Sequence, residues 1–201
     1  MNRTYIARTA LWASVLVLGG ACSTSDILDV NNPDEIAVGT LDDPRLIQVG
    51  QNGVIDAFDN AYVSSIIQYS NFITDEVITG LNFEDYARAN QRIVSYLEGP
   101  TTQIFENLSR SLRLAHGLSE AIRGWATADP ATDFDTELAT ALAYAGYSAL
   151  VLAENTCQSV ISPDPDNPSG TVLSQAETFA AALPYLTEAL TIAQAAGDVA
   201  L

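Results

Sequence analysis

The chain has 201 residues, enough for one domain of ordinary size, and its 48% hydrophobic and 16% charged content excludes a wholly disordered polymer. All 8 basic residues are arginine, and 25 carboxylates bring the formal net charge to -17. Such a surface repels nucleic-acid phosphate and anionic headgroups, so nucleic acid is not an expected partner; the acidic excess reads as solubility in an exposed or salty setting.

Residues 1–8 carry Arg3 and Arg8, residues 10–18 (ALWASVLVL) are apolar throughout, and Gly19, Gly20 and Ala21 stand directly before Cys22. A positive start, a short apolar run and small residues describe a secretory signal over 1–21. The run is too short to cross a bilayer core, which takes about 20 helical residues. Small residues followed at once by cysteine resemble a lipobox, in which the thiol is acylated, palmitate among the chains, and becomes the new N-terminus. The usual lipobox has Leu three positions before the cysteine; here Gly19 stands there and Leu18 one step earlier. Cys22 is therefore the expected lipidation site, with two or more acyl chains giving a stable anchor; the alternative is ordinary cleavage near Ala21 that leaves a free Cys22 thiol. Ser23, rather than Asp, follows the cysteine, which fits sorting to the outer membrane. Cys22 and Cys157 match no zinc or redox spacing and suggest no disulfide.

Residues 22–41 are rich in Asp, Asn, Ser and Pro without helical period and read as an extended tether. Asp42-Asp43-Pro44 then opens a helix, with a carboxylate to cap free amides and proline at the first position. Its apolar stripe is Leu46, Ile47, Val54, Ile55, Phe58 and Tyr62, and a second helix is expected over 62–77. Residues 80–100 give no clear pattern. Over 103–125, Phe105, Leu108, Leu112, Ala115, Leu118, Ile122 and Trp125 recur at steps of three and four, a helix with one buried face. On the opposite face Glu106 and Arg110 have the favourable acid-first spacing. Residues 126–133 are a break, and 134–155 a third strong helix, dense in alanine. Three prolines make 162–170 a loop. Ser174 and Glu177 form a capping-box pattern that opens a last helix to about residue 195, with a kink expected at Pro184. No strand pattern competes. The expected class is all-α, one helical domain over 42–201 behind the tether.

Chemistry-bearing side chains are few. His116 lies near the polar edge of its helix with no acidic or nucleophilic partner one turn away and reads as a surface residue. Asp75-Glu76 and Glu84-Asp85 read as solvated charge rather than a glycosidase dyad. Trp125, Tyr144 and Tyr147 could stack on sugar rings, although aromatics at helical spacing are more often core. Asp164-Pro165-Asp166-Asn167 lacks the alternation and glycine of a calcium loop, and Cys157 reads as a buried or semi-buried thiol. No catalytic residue, cofactor-binding residue or metal ligand is assigned.

Two segments resemble halves of a tetratricopeptide unit. Residues 182–190 (ALPYLTEAL) are similar to its second helix, with small Ala182 and Ala189 around bulky Leu186; Leu142, Ala145-Gly146 and Ala149 are similar to its first. Gly146 and Ala182 are much further apart than in a plain repeat, so residues 156–173 would be an insertion. A cysteine for lipidation, then Leu28-Asp29-Val30 and Asn32-Pro33, then helices and a loop-split tetratricopeptide-like pair, resembles the N-terminal part of RagB/SusD-family lipoproteins over the whole mature chain. The resemblance implies a SusD-like helical fold with long loops. It also implies a lipid-anchored protein on the outer face of the outer membrane that binds an oligosaccharide or peptide nutrient and delivers it to a TonB-dependent barrel transporter, without enzymatic activity. Family chains are more than twice this length, so the expected unit is an incomplete domain, marginal in stability because stacked repeats need neighbours. The alternative is a periplasm-facing helical-repeat lipoprotein that scaffolds an envelope assembly; a lipid-anchored hydrolase finds no residue constellation here. Replacing Cys22 by Ser in a bacterial host is expected to abolish incorporation of labelled palmitate and to move the protein out of the membrane pellet. Continued labelling of that variant would exclude Cys22 as the anchor.

Overall fold

A computed structural model describes residues 43–80, 82–95, 98–162 and 170–197. The leader 1–21, Cys22, the tether 22–41 and Asp164-Pro165-Asp166-Asn167 lie outside the described residues. Within them the chain is predominantly helical.

Asp43 caps the entrance as expected: its carboxylate accepts from the Arg45 amide at 3.0 Å, and Pro44 opens a 3-10 turn, Pro44–Leu46. Hydrogen bonds from the Arg45 side chain, then from its amide, hold the Asp43 carboxyl down to about 2. Helix α1 (Ile47–Ala61) follows, then a π-helical segment Tyr62–Ile67, then α2 (Gln68–Ile73). The second helix expected from 62 is thus a continuation of the first. What changes at Tyr62 is the hydrogen-bonding register, and Ser65 Oγ donates to the Asn60 carbonyl at 3.2 Å. The path ends at Thr74, short of 77, where Asp75 takes a left-handed φ of 64°.

Helix α3 (Glu84–Asn90) fills part of the stretch that gave no pattern. Its last residue organises the preceding turn: Asn90 Nδ2 donates to the Phe72 and Val77 carbonyls, each at 3.1 Å, and Oδ1 accepts from the Thr79 amide at 3.0 Å. Helix α4 (Gly99–Ala128) is longer than expected at both ends, and α5 (Asp135–Asn155) lies where the alanine-rich period put it. Glu106 and Arg110 form none of the ion pairs among the described residues. Helix α6 (Gln175–Ala196) opens on the expected capping box, runs through Pro184 as one element and stops at Gly197, which takes the left-handed φ of 76° that glycine adopts without cost.

The expectation of no strands is corrected. Gln158–Ile161 (β1) and Thr171–Ser174 (β2) form an antiparallel ribbon, Gln158 opposite Ser174 and Ile161 opposite Thr171. The ribbon escapes a hydrophobicity reading because it is short and inverted: polar Ser159 is buried against Thr178, Oγ to Oγ1 2.6 Å, while Val160 and Val172 face outward. Gly170 re-enters β2 with φ +53° and sits so close that a Cβ would stand 2.8 Å from the Ile161 carbonyl.

Contacts set the directions of the long helices. Gly50 of α1 lies against Leu118, and Ser111 Oγ of α4 donates to the Val54 carbonyl at 3.2 Å, so α1 and α4 are antiparallel. Ser148 Oγ of α5 donates to Ser111 Oγ at 2.9 Å, Leu108 packs with Val151 and Leu152, and Ile122 with Ala141, so α5 runs back along α4. Gly146 meets Leu186, and Gln175 Nε2 donates to the Ala153 carbonyl at 2.9 Å, so α6 runs back along α5. One cluster draws on all four: Val54, Leu112, Ala115, Ala145, Ala149 and Ala182. A satellite of Tyr69, Phe72 and Ala89 joins α2 to α3.

A Cβ on Gly146 would stand 2.5 Å from Leu186 Cγ and Cδ2 and 3.2 Å from its backbone nitrogen. Gly146→Ala is therefore expected to cost about 1–3 kcal/mol, read as a lower urea midpoint, with part recovered by Leu186→Ala in the same chain. An unchanged midpoint in the single variant would mean that α5 and α6 do not approach this closely.

Candidate functional site

The strongest candidate is an aromatic groove between α1 and α5. Thr140, Tyr144, Tyr147, Val151 and Glu154 recur at steps of three and four, which places them on one stripe of α5. Phe58 and Tyr62 are one turn apart at the end of α1 and the first π position. Together with Ala143 and Leu150 these residues line a groove of about 590 Å³ that is open to solvent. The Phe58 and Tyr62 rings stack at 5.7 Å with 13° between their planes, and Phe58 meets Tyr144 edge to face at 5.5 Å and 81°. Phe58 and Tyr144 are half-buried, whereas Tyr62 and Tyr147 are 40% and 47% exposed. Burial first, then the nearby charge of Asp59 and the Tyr147 hydroxyl, push the Tyr144 hydroxyl above its ordinary value. Asp59 and Glu154 are exposed, and among the described residues no basic side chain lines the groove. Aromatic rings with the Glu154 carboxylate beside them suit holding a ligand.

Of the aromatics singled out in the sequence, Tyr144 and Tyr147 converge here. Trp125 does not: it packs with Phe134 at 6.3 Å and lines a separate shallow cavity with Pro44, Arg45 and Asp129. Phe58 and Tyr62, read as core stripe, are the groove residues that sequence reasoning missed; their one-turn spacing was visible, their partners on α5 were not.

His116 departs from the surface reading. It is half-buried, its Nδ1 shares a hydrogen bond of 3.1 Å with the Tyr185 hydroxyl, and the rings meet edge to face at 6.0 Å. Its partner lies on α6, beyond the reach of a search one turn along its own helix. Burial raises the Tyr185 hydroxyl, with Glu120 adding and Arg123 opposing. Arg123 bridges Glu120 and Glu188, the latter at 2.7 Å, so this polar seam ties α4 to α6. Cys157 also departs from its reading: it is exposed, at the entrance to β1. Asp75 pairs with Arg92, and Glu84 and Asp85 both pair with Arg88, so these carboxylates serve the α2–α3 region.

The buried carboxylate Glu98, which is 2% exposed, carries no local signal in the sequence. It accepts from Arg88 Nε at 3.0 Å and from the Tyr69 hydroxyl. Burial opposes its ionisation, but the bonds from Tyr69, the Ser95 backbone and Arg88 outweigh that and hold the carboxyl below its ordinary value; burial and then Glu98 push the Tyr69 hydroxyl up. Every group in this cluster has a partner, and its work is to join α2, α3 and the start of α4.

Among the described residues no group of three or more His, Cys, Asp or Glu could hold a metal ion, and no helix is long and apolar enough to cross a membrane. Comparison with protein-family models, curated proteins and solved structures finds no match to the chain.

Because Glu98 is held ionised, its contribution to stability is present above the unfolded carboxyl value and is lost as pH falls through the lowered folded value. Wild type is therefore expected to melt higher than Glu98→Gln at neutral pH, with the gap closing only as the pH drops below about 4.3. A gap that is the same at every pH would show that the charge of Glu98 is not what the cluster uses.

Proposed function

We propose that the protein is a lipid-anchored capture protein of the RagB/SusD kind, exposed at the cell surface, which binds a glycan or peptide nutrient and passes it to a TonB-dependent outer-membrane barrel. The observation that carries this reading is the order of parts along the chain: a leader ending in small residues, Cys22, a polar tether, then a helical domain. The close approach of α5 and α6 supports it. We read these two helices as the tetratricopeptide-like pair, with Gly146, Ala149 and Ala182 at the contact and the ribbon with residues 163–169 as the insertion. The aromatic groove supplies a surface on which a ligand could be held without being transformed.

A specific observation favours the scaffold alternative. Ala176, Ala180, Leu183, Thr187, Leu190 and Gln194 lie on one face of α6 at the alternating three- and four-residue spacing of a coiled-coil seam, all exposed, with Leu183 at 62% and Leu190 at 58%. A periplasmic assembly built on helix pairing would use such a seam.

The two readings separate on purification of the tagged chain from detergent-solubilised outer membrane, followed by mass spectrometry. Capture predicts a TonB-dependent barrel in near-equal amount and cleavage of the protein by protease added to intact cells. Periplasmic assembly proteins in its place, with protection from that protease, would establish the scaffold.

A further inference from the structure

We propose that the groove formed by Phe58, Tyr62, Tyr144 and Tyr147 binds the cationic side chain of a lysine- or arginine-bearing peptide. This deepens the capture reading and rests on it only in treating the ligand as a nutrient.

The geometry distinguishes a cation from a sugar. A pyranose ring is best held against one flat, open aromatic platform. Here Phe58 and Tyr144 meet at 81°, Tyr62 stacks on Phe58, and Tyr147 rises from the other helix, so several rings converge from different directions. Aromatic faces carry the negative end of the ring quadrupole, and rings that converge from several directions attract a compact positive group. Charge adds to shape. Glu154 lines the groove, Asp59 lies close enough to Tyr144 to act on its hydroxyl, and among the described residues no basic side chain lines it. A neutral glycan gains little from those charges, whereas an ammonium or guanidinium gains at contact distance and is also drawn in by the net charge of -17.

The size of the groove selects a peptide over a free small cation. At about 590 Å³ and open to solvent, it exceeds what one cationic head fills. Ala143, Leu150 and Val151 offer apolar surface for the stem of the side chain, and Thr140 a hydroxyl for neighbouring backbone. The π segment is an independent sign. It begins at Tyr62, and Tyr62, Val63 and Ile67 are exposed along it. Such segments interrupt helices frequently at functional sites.

The test uses the full chain, purified from membranes in neutral detergent and titrated calorimetrically with the capped peptide Gly-Gly-Arg-Gly-Gly. The same peptide with citrulline for arginine, neutral and nearly isosteric, and maltohexaose are titrated alongside. Saturable binding of the arginine peptide is expected, weakened at least about tenfold by citrulline, with no competition from maltohexaose. Tyr62→Ala and Tyr147→Ala, both at exposed positions, are each expected to weaken it about two- to thirtyfold. Glu154→Gln should weaken it more at low salt than at high, and circular dichroism verifies that each variant keeps its helix content. Equal binding of the citrulline peptide, displacement by maltohexaose, or no binding at millimolar peptide would overturn the proposal. Co-purification of a barrel without peptide binding would remove this assignment and leave capture standing; peptide binding without a barrel would do the reverse.

Discussion

Helix α5 can be enclosed by its neighbours only because so much of its surface is small. Ala139, Ala141, Ala145, Gly146, Ser148, Ala149 and Ala153 are all buried, and between them Leu142 and Leu152 supply the volume that alanine lacks. Short side chains bring backbones close, and close backbones let hydroxyls act across helices: Ser148 donates to Ser111, and Ser111 to the Val54 carbonyl, one buried chain of hydrogen bonds through three helices. The dispersion energy of such a core comes from many near contacts rather than from a few large side chains. It therefore depends on positions where even one added methyl finds no room.

The groove is the complement of that arrangement. The groove lies along one stripe of α5, which holds Thr140, Tyr144, Tyr147, Val151 and Glu154. Tyr144 serves both sides, packing against the main core cluster and meeting Phe58 edge to face. Position in the groove is thus set by the same contacts that hold the fold, and the exposed rings of Tyr62 and Tyr147 stand on rigid supports. Binding there would require little rearrangement of the backbone.

How far the sequence announced this structure depended on the range of the interactions. Helices α4, α5 and α6 were legible because each carries its own periodicity, and the Ser174–Glu177 cap is a contact three residues long. Helix α3 was not, because seven residues with one buried alanine leave no stripe to recognise, and its stability comes from Asn90 and Arg88 reaching other segments. The ribbon was hidden by its inverted polarity. At the groove, Tyr144 and Tyr147 were visible as candidates, yet Phe58 looked like ordinary core. His116 seemed solitary while its partner Tyr185 stood 69 residues away. Local pattern names an element; only the packed chain says which stripe faces which.

The start of α4 carries a consequence for how the molecule opens. Glu98, at the cap position, turns its carboxylate to Arg88 and Tyr69 and gives the first turn no side-chain cap; the Gly99 amide is met instead by Asp85 Oδ2 of α3 at 3.1 Å. The longest helix thus borrows its beginning from one of the shortest. When α3 detaches, α4 loses the Asp85 cap and Glu98 loses Arg88 together, so the two ends share a single opening event. In hydrogen exchange the amides of the first turn of α4 would then keep time with those of α3, while the rest of α4 follows the slower clock of the core.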